Sequence, residues 1–459
     1  MATIQTAPPP VRKAKLAAGA PAAWSGAERT AFRFFFLYFI GQAVPLDPKF
    51  YAALFSVHWA DLHFRDIFYL SRYFPQFFPG QTFANWAVVA LLAAVGTVGW
   101  SVLDRRRQAY NGLYYALRVI LRYRLAAGVL AYGFLMLFPM MAPQPSLSHL
   151  NTHYGDFTAW KLFSLSLGIV PSYELFLGGV AVTAGVLLLF RRTTTIATLI
   201  LIPFLGNVFV SNLAYEGGEA VYSLYLTAIA LFLFAYDGLR FFRLLILEKP
   251  TLPNRYVPAF REAWQRNGRL VLKGAFAVVF VGLYGYLTYA GYRDGGYHFP
   301  KAPGLAGAAG RYHVKEFRVN GKTLPPSPTD PVRWQDVVFE KWATLSIRSN
   351  RPAALQAALT EEIYLNDDAR DYEQAGSAGR HYYHYRVDTQ RGTLHLEHRN
   401  RHHAGEKLTL HYTRPDAATL VLSGVNERNE ALYVVLERRD KKYLLEEVAR
   451  EGRRKPMKL

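Results

Sequence analysis

Seven apolar segments constrain this chain more than any other feature, because about 20 helical residues are needed to cross the roughly 30 Å hydrocarbon layer of a bilayer. We place the predicted membrane spans at 28–45, 83–103, 120–140, 172–190, 194–213, 219–238 and 269–290. The first span is short and carries Arg33 near its start, where an arginine at a helix end can reach the interface. The pattern predicts an α-helical polytopic membrane bundle of about seven spans.

The connections between these spans differ in charge. With the N-terminus inside, the inner connections contain the arginine-rich segments 105–107, 191–192 and 240–243. The outer connections hold fewer basic residues, balanced by acidic ones, and lie at 46–82, 141–171 and 214–218. The positive-inside rule therefore predicts that the N-terminus lies inside and the C-terminal part outside. A bacterial cytoplasmic (inner) membrane is the expected location, on the strength of the family resemblance described below.

The outer connection 46–82 is unusually rich in aromatic residues. Aromatic side chains concentrate at the level of the lipid headgroups, so an interfacial helix is the favoured interpretation. A lid over the helical bundle is the alternative.

The amino-acid composition excludes several kinds of redox chemistry and disfavours one class of partner. The chain has 459 residues, a formal net charge of +19 and no cysteine. Disulfides, thiol redox chemistry and iron–sulfur clusters bound by this chain are excluded, so a redox role would need a quinone or a partner subunit. The basic residues flank apolar segments instead of gathering on a soluble face, which favours membrane lipids over nucleic acid as partners.

The composition changes after residue 292. A segment rich in glycine and proline, 293–310, is typical of a linker, and short alternating segments follow it. The predicted strands are Tyr312–Val319, Val337–Phe339, Ala343–Ile347, Tyr382–Val387, Thr393–His398, Lys407–Tyr412, Thr419–Gly424 and Leu432–Glu437. They predict a small all-β barrel, lipocalin-like in style, with 352–379 as a helical or loop insertion.

A family resemblance covers residues 121–237. One stretch, from Arg122 to Pro139, is an arginine-led helix with a glycine at its centre, and another, from Gly178, is a small-residue helix that ends at Arg191 and Arg192. This region resembles the DoxX-like superfamily of four-helix membrane proteins, and the whole chain resembles larger bacterial forms with extra helices and a C-terminal β domain. The family includes subunits similar to those of thiosulfate:quinone oxidoreductase, so the resemblance implies a four-helix core and a link to quinones.

The chain departs from the family at one place. Family members often carry a His-Gly pair before a lysine on the first core helix. Here Tyr132 precedes Gly133, and Met136 stands where the lysine would be. Any chemistry that depends on that histidine and lysine is therefore absent.

The predicted domains follow from these features. They are a disordered basic N-terminal tail (1–27), two added spans with the aromatic outer loop (28–118), the four-helix DoxX-like core (119–238), a cytoplasmic basic loop (239–268), a last span (269–292), the linker (293–310), an extracytoplasmic β-barrel-like domain (311–440) and a charged tail (441–459).

Polar side chains at membrane depth are candidates for a functional site, because they are costly there unless they serve a purpose. The candidate pocket, facing outward between helices, comprises Asn207, Asn212, Glu174, Lys161, Tyr154, Tyr215 and Glu216. A carboxylate, a lysine and tyrosine hydroxyls at one place would suit a quinone head or another small polar group. The structural alternative is that the asparagines satisfy neighbouring helices and the charges are solvated. No catalytic residue is assigned.

Small residues and histidines complete the set of motifs. Gly178, Gly179, Ala181 and Gly185 favour close packing of their helix against a neighbour. A cluster of seven histidines occurs in the second half of the β domain, namely His381, His384, His395, His398, His402, His403 and His411. Pairs three residues apart on a strand point to opposite faces, so we predict solvated surface histidines and no metal site.

Two hypotheses about function remain. The first is a redox-associated, quinone-linked membrane subunit, which the resemblance favours. The second is a non-enzymatic anchor whose extracytoplasmic β domain binds a protein partner, a lipid or an envelope component. The absence of cysteine and of a cofactor motif favours the second, and an independent catalytic activity is not expected from either.

Overall fold

The computed structural model describes residues 24–80, 82–142, 144–251, 262–294, 299–355 and 373–452. Most of the predicted N-terminal tail lies outside these residues. So do parts of the predicted basic loop, linker, insertion and charged tail.

The described N-terminal two thirds of the chain is helical. The helices are α1 (Gly26–Ala43), α2 (Pro48–Ser56), α3 (Phe64–Ser71), α4 (Phe83–Leu103), α5 (Asn111–Leu137), α6 (Leu147–Leu150), α7 (Ala159–Gly168), α8 (Pro171–Leu188), α9 (Thr194–Ala214), α10 (Ala220–Leu245), α11 (Ala263–Ala277) and α12 (Tyr284–Arg293). A π-helical segment, Val278–Leu283, joins α11 to α12 without a break.

Six helices in the described part of the chain are long and apolar enough to cross a membrane: α4, α5, α8, α9, α10 and the continuous helix Ala263–Arg293. They correspond to six of the seven predicted spans. The seventh, α1, is 18 residues long but carries Glu28, Arg29 and Arg33, which sets it apart from the other six. The chain thus has the architecture of a multi-pass helical membrane protein.

Arg33 does not extend to a solvated interface. Its side chain is buried, and its guanidinium donates to the Tyr110 hydroxyl at 2.9 and 2.7 Å, to Ser101 Oγ at 2.8 Å and to the Asp104 carbonyl at 2.8 Å. These partners lie at the end of α4 and just before α5. A buried arginine with four hydrogen bonds therefore ties α1 to the α4–α5 connection.

Four helices form the centre of the helical domain. The helix α5 packs along α8, and α9 packs along α10; contacts of α8 with α9 and of α10 with α5 close the ring. The buried apolar residues between them include Leu125, Ala184, Leu201 and Ile229. This is the predicted four-helix core, with α1 and α4 packed together on one side and the 263–293 helix against α5.

The C-terminal part is a closed antiparallel β-barrel. Its strands are β1 (Gly310–Val319), β2 (Lys322–Thr323), β3 (Trp334–Phe339), β4 (Thr344–Ser349), β5 (His381–Asp388), β6 (Thr393–His398), β7 (Lys407–Thr413), β8 (Thr419–Val425) and β9 (Ala431–Arg439). The two-residue β2 pairs only with the end of β1, and the other eight strands form the barrel, which the pairing of β1 with β9 closes. Closure leaves the sheet without free edges.

The predicted strands and the observed strands agree along the whole barrel. Alternation explains this: on β6, Leu394 and Leu396 point into the barrel core, whereas His395 and Glu397 are exposed. The predicted linker is not entirely separate from the barrel, since Leu305 and Ala308 are buried in its core. A last helix, α13 (Leu444–Glu451), follows β9.

Candidate functional site

A cavity of about 270 Å³ lies inside the helical domain, between α5, α7, α8, α9 and α10. Most of its wall is apolar and includes Val129, Leu177, Phe204 and Leu226. The polar groups in the wall are few. An apolar cavity with a few polar groups is the usual form of a site for a small molecule.

Glu174 lies in the first turn of α8 and forms part of this wall. The residue is only 3% exposed. Its Oε1 accepts hydrogen bonds from the backbone amides of Met141 at 2.8 Å and Ala142 at 3.2 Å. Its Oε2 is equally buried but has no hydrogen-bond partner among the described residues. A buried oxygen without a partner is costly, so this atom marks a place for a ligand group.

Trp160 brings a second unpaired group to the same wall. The residue lies in α7, and its indole packs against Gly217 in the α9–α10 turn, where an added Cβ would lie 2.4 Å from the ring. The indole Nε1–H is buried and has no partner in the described part of the chain. Among the described residues, the cavity wall therefore holds an unsatisfied donor, an unsatisfied acceptor and the unpaired hydroxyl of Tyr222.

A charged group from the aromatic connection 46–82 contacts a residue of the cavity wall. Arg72, directly after α3, forms an ion pair with Glu219, which lines the cavity and also accepts a hydrogen bond from the Tyr132 hydroxyl at 3.2 Å. The Arg72 guanidinium lies 5.5 Å from the centre of the Tyr132 ring and 5.6 Å from that of Tyr222, within cation–π range. Because α3 also packs on α5 and α12, this connection covers the helical domain, as the lid alternative requires.

Three of the seven residues proposed from the sequence line the cavity: Glu174, Asn207 and Asn212. Asn212 is engaged with the backbone, since its Oδ1 accepts from the Glu219 amide at 3.1 Å and its Nδ2 donates to the Val208 carbonyl at 2.9 Å. It holds the α9–α10 turn in place. Asn207 is exposed on the outer side of α9, at the rim of the cavity.

The other four lie elsewhere. Tyr154 is 78% exposed, and Glu216 is exposed with a φ of 59°. Tyr215 stacks on Phe163, with ring centres 4.7 Å apart, behind the cavity wall. Lys161 is fully buried and lies on the side of α7 that faces the barrel. An added Cβ at Gly376 would be only 2.9 Å from the Lys161 Cβ.

Sequence reasoning missed Trp160 and Arg72. Trp160 belongs to a short helix inside the outer connection 141–171, and neither its spacing nor its neighbours distinguish it. Arg72 had a usable signal, because it is a basic residue within a strongly aromatic segment on the side with few basic residues. Tyr132 and Met136 also line the cavity.

The segment 144–168 also seats the barrel on the helical domain. Glu340, at the end of β3, accepts hydrogen bonds from the Ser148 amide at 2.7 Å, the Ser148 hydroxyl at 2.6 Å and the Leu147 amide at 3.2 Å. The Thr158 amide donates to the Gly376 carbonyl at 2.9 Å. These buried contacts fix the barrel against α6 and α7.

Burial shifts the pKa of several groups at this contact between the barrel and the helical domain. It raises the pKa of Glu340, although the hydrogen bonds from Ser148 act in the opposite direction. Burial and the neighbouring Glu340 raise the pKa of Glu373 to about 7. Burial and the positive charge of Lys161 hold the pKa of His149 well below its usual value. Its Nε2–H donates to the Glu373 carbonyl at 2.8 Å, because its Nδ1 accepts from the Ser146 amide.

The histidines of the barrel are not all surface residues. His395 and His402 are exposed as predicted, but His381 and His398 are buried and lie close to His403. The prediction of solvation is wrong for His381 and His398. It compared residues along one strand, whereas these side chains come from two neighbouring strands and a turn.

Comparison with known proteins adds no relative: the chain matches no family model, no curated protein and no solved structure. The fold and the cavity define the class of molecule, a multi-pass helical membrane protein with a closed eight-stranded β-barrel domain.

Proposed function

We propose that this protein is a quinone-binding membrane subunit whose helical domain holds the quinone head in the cavity between α5, α7, α8, α9 and α10. The observation that carries the proposal is that one apolar wall holds both an unsatisfied buried donor, Trp160 Nε1, and an unsatisfied buried acceptor, Glu174 Oε2, with the unpaired Tyr222 hydroxyl in the same wall. A quinone carbonyl accepts from an indole N–H, and a quinol hydroxyl donates to a carboxylate oxygen. An apolar wall suits the ring and the first part of an isoprenoid tail.

The role of the chain in redox chemistry would be limited to binding and positioning the carrier. Its sequence contains no cysteine, so it holds no iron–sulfur cluster of its own and no thiol couple. Electrons would therefore come from a partner protein or a soluble donor. The chain would hold one end of the quinone by hydrogen bonds and exclude water from the ring.

The position of Asn207 supports entry from the lipid. This amide lies in the apolar helix α9, is exposed, and borders the cavity. A polar side chain at such a position is expensive against hydrocarbon unless it meets a polar group. A quinone that moves sideways from the bilayer would offer its carbonyl to this amide.

Binding can be measured on the full-length protein in lipid nanodiscs by calorimetric titration with a short-chain ubiquinone analogue and with its quinol. Trp160→Phe keeps the ring and removes the N–H, and we expect it to weaken quinone binding about fivefold, the effect of roughly 1 kcal/mol for one hydrogen bond. Glu174→Gln keeps an oxygen for Met141 and Ala142 but replaces the free acceptor by a donor. We expect it to weaken quinol binding more than quinone binding.

Trp86→Phe is the matched control, because Trp86 lies in α4 and takes no part in the cavity wall. It should bind like the wild-type protein. Absence of binding to the wild-type protein would refute the proposal, and so would equal effects of Trp160→Phe and Trp86→Phe.

The alternative function, a non-enzymatic anchor for the β domain, draws on a separate observation. The barrel has its own hydrophobic core, built from residues of every long strand and including Phe317, Phe339 and Leu410. It is seated on the segment 144–168 in a fixed position. If no quinone binds and the Glu174 and Trp160 variants behave like the wild type in cells, this alternative is favoured.

We further propose that the N-terminus lies inside a bacterial inner membrane and the barrel outside. Support comes from the arginines in the α4–α5 and α8–α9 connections and from the barrel contacts with the α5–α7 connection at the other end of these helices. Because the chain has no cysteine, single cysteines can report the orientation without background. Gln390→Cys in the barrel should react with a membrane-impermeant maleimide in spheroplasts, and Arg192→Cys should react only after lysis. The reverse pattern would contradict the orientation.

A further inference from the structure

Three histidines of different parts of the barrel meet at one place. His381 begins β5, His398 ends β6, and His403 lies in the short 3-10 turn Arg401–His403. The antiparallel pairing of Tyr383 with His398 brings the start of β5 beside the end of β6, and the turn folds back over both. One ring nitrogen from each histidine lies within 4.8 Å of the other two.

The spacing of the first two rings fits a shared ion. His381 Nδ1 and His398 Nε2 are 3.3 Å apart. Two nitrogen ligands placed tetrahedrally around zinc, each at about 2.0–2.1 Å, are separated by about 3.3 Å. In addition, His381 Nε2 lies 3.2 Å from the Arg351 carbonyl oxygen. Because a carbonyl oxygen only accepts, Nε2 carries the proton of the His381 ring. This hydrogen bond leaves the lone pair on His381 Nδ1, the nitrogen that faces His398.

His403 has the orientation of a metal ligand with carboxylate support. Its Nδ1 lies 2.9 Å from Glu406 Oε1, an acceptor, and 3.1 Å from the Arg351 guanidinium, a donor. In the tautomer that pairs with the carboxylate, Nδ1 carries the proton. The lone pair is then on Nε2, which is buried and has no partner among the described residues. A carboxylate bound to the far nitrogen of a histidine is the common second partner of zinc-binding histidines.

The charged groups around the cluster are paired with one another. Arg351 forms ion pairs with Glu406 and Glu427.

Two contacts oppose metal binding. The Arg351 guanidinium can donate to His403 Nδ1 and so competes with the tautomer that pairs with Glu406. His398 Nδ1 accepts a hydrogen bond from the Asn400 amide at 3.0 Å, so in the metal-free protein the His398 proton is on Nε2, between the two rings. To bind a metal through Nε2, His398 must carry this proton on Nδ1 instead, and the Asn400 amide must turn away. The cost at His398 is two neutral hydrogen bonds, with Asn400 and with His381, which is small beside the gain from three metal–nitrogen bonds.

We propose that the β-barrel binds one divalent transition-metal ion, of the zinc type, through His381 Nδ1, His398 Nε2 and His403 Nε2, with Glu406 as the carboxylate that orients His403. An all-imidazole set suits zinc, copper or nickel and does not suit magnesium or calcium. Three protein ligands leave a fourth position for water or a small anion. His381 also lines a cavity of about 140 Å³ beside Arg351 and Tyr383.

The test uses the untagged full-length protein in detergent, stripped with a chelator and titrated with Co²⁺ and then Zn²⁺. We expect one Co²⁺ per chain, the strong visible absorption of four-coordinate cobalt, and its loss when Zn²⁺ displaces the cobalt. His403→Gln should weaken binding at least about 100-fold, and Glu406→Gln about 10–100-fold, as for other partners of metal-binding histidines.

His402→Gln is the matched control, because His402 is the exposed neighbour of His403 and lies outside the cluster. It should bind cobalt like the wild-type protein. Thermal unfolding of the metal-free variants checks that each is folded, and both substituted cluster residues are only partly buried. The proposal is overturned if the wild-type protein shows no four-coordinate cobalt spectrum, if His403→Gln retains it, or if His402→Gln loses it equally.

Discussion

The close contact between α5 and α8 at Gly178 predicts that an added methyl group there destabilises the protein. A Cβ added to Gly178 would lie 2.1 Å from the Leu137 backbone nitrogen and 2.5 Å from both the Leu137 Cα and the Met136 carbonyl carbon. Ordinary contacts of a Cβ begin at 3.4 Å. The atoms in the way belong to the backbone of α5 and cannot rotate aside. In Gly178→Ala, α8 must therefore move away from α5 by roughly 1 Å.

The neighbouring glycine provides the control. An added Cβ at Gly179 meets nothing within 4 Å. Overpacking a tight interface costs about 1–3 kcal/mol, and a clash with backbone lies at the upper end of this range. Alanine at an open helical position instead gains up to about 1 kcal/mol over glycine. We expect Gly178→Ala to lower the melting temperature by about 5 °C or more, from roughly 2 °C per kcal/mol for a large domain, and Gly179→Ala to leave it unchanged or slightly higher.

The assay is thermal unfolding of the full-length proteins in one detergent, followed by intrinsic fluorescence and by the fraction that remains monodisperse. Glu174 precedes Gly178 by one helical turn on the same face of α8, so a displaced α8 also moves the carboxyl group that lines the cavity. Quinone binding should weaken in Gly178→Ala and not in Gly179→Ala. Equal melting temperatures for the two variants would refute the packing argument.

Two further predictions concern the barrel. The raised pKa of Glu373, about 7 against an ordinary 4.5, means that the native state holds a proton that the unfolded chain has lost, so stability should fall as pH rises from 4.5 to 7. Glu373→Gln should flatten the dependence of stability on pH and raise the melting temperature at pH 8, because the free energy of unfolding at that pH rises by an amount on the order of 3 kcal/mol. An unchanged pH dependence would contradict this prediction. Asp336→Ala leaves the fully buried Arg380 side chain without its ion-pair partner and should destabilise the barrel by about 3–5 kcal/mol in denaturant unfolding, whereas Glu397→Ala, at the exposed ion pair with Lys407, should cost less than about 1 kcal/mol.

Local patterns were sufficient to predict most of the secondary structure. Each membrane-crossing helix is set by the length of its own apolar run, and each barrel strand by alternation within a few residues. Closure of the barrel followed from the number and spacing of the strands. The helix α7 was not predicted, because Ala159–Gly168 lacks both the length of a span and a strong helical pattern of its own.

The site was only partly predictable, because its contacts join distant parts of the chain. Lys161 was placed in the cavity by its position near the predicted outer mouth, but the barrel draws it to the other side of α7. The hydrogen bonds between Ser148 and Glu340 span 192 positions, and no local pattern reports them. The same limit applies to the histidines: the two-residue period correctly separates His395 from His398, yet it cannot show which histidine faces His398 from the next strand.

One segment joins the cavity to the barrel. The amides of Met141 and Ala142 bind Glu174, the same connection continues to Ser148 beneath the barrel, and α7 then places Trp160 in the cavity wall. A ligand that pairs with Glu174 Oε2 and Trp160 Nε1 would hold both ends of this segment in place. Such coupling is reciprocal in free energy. A ligand that stabilises the contact between this segment and the barrel must therefore bind more weakly to a variant in which that contact is weakened. The stability of the barrel domain would then depend on whether the cavity between the helices is occupied.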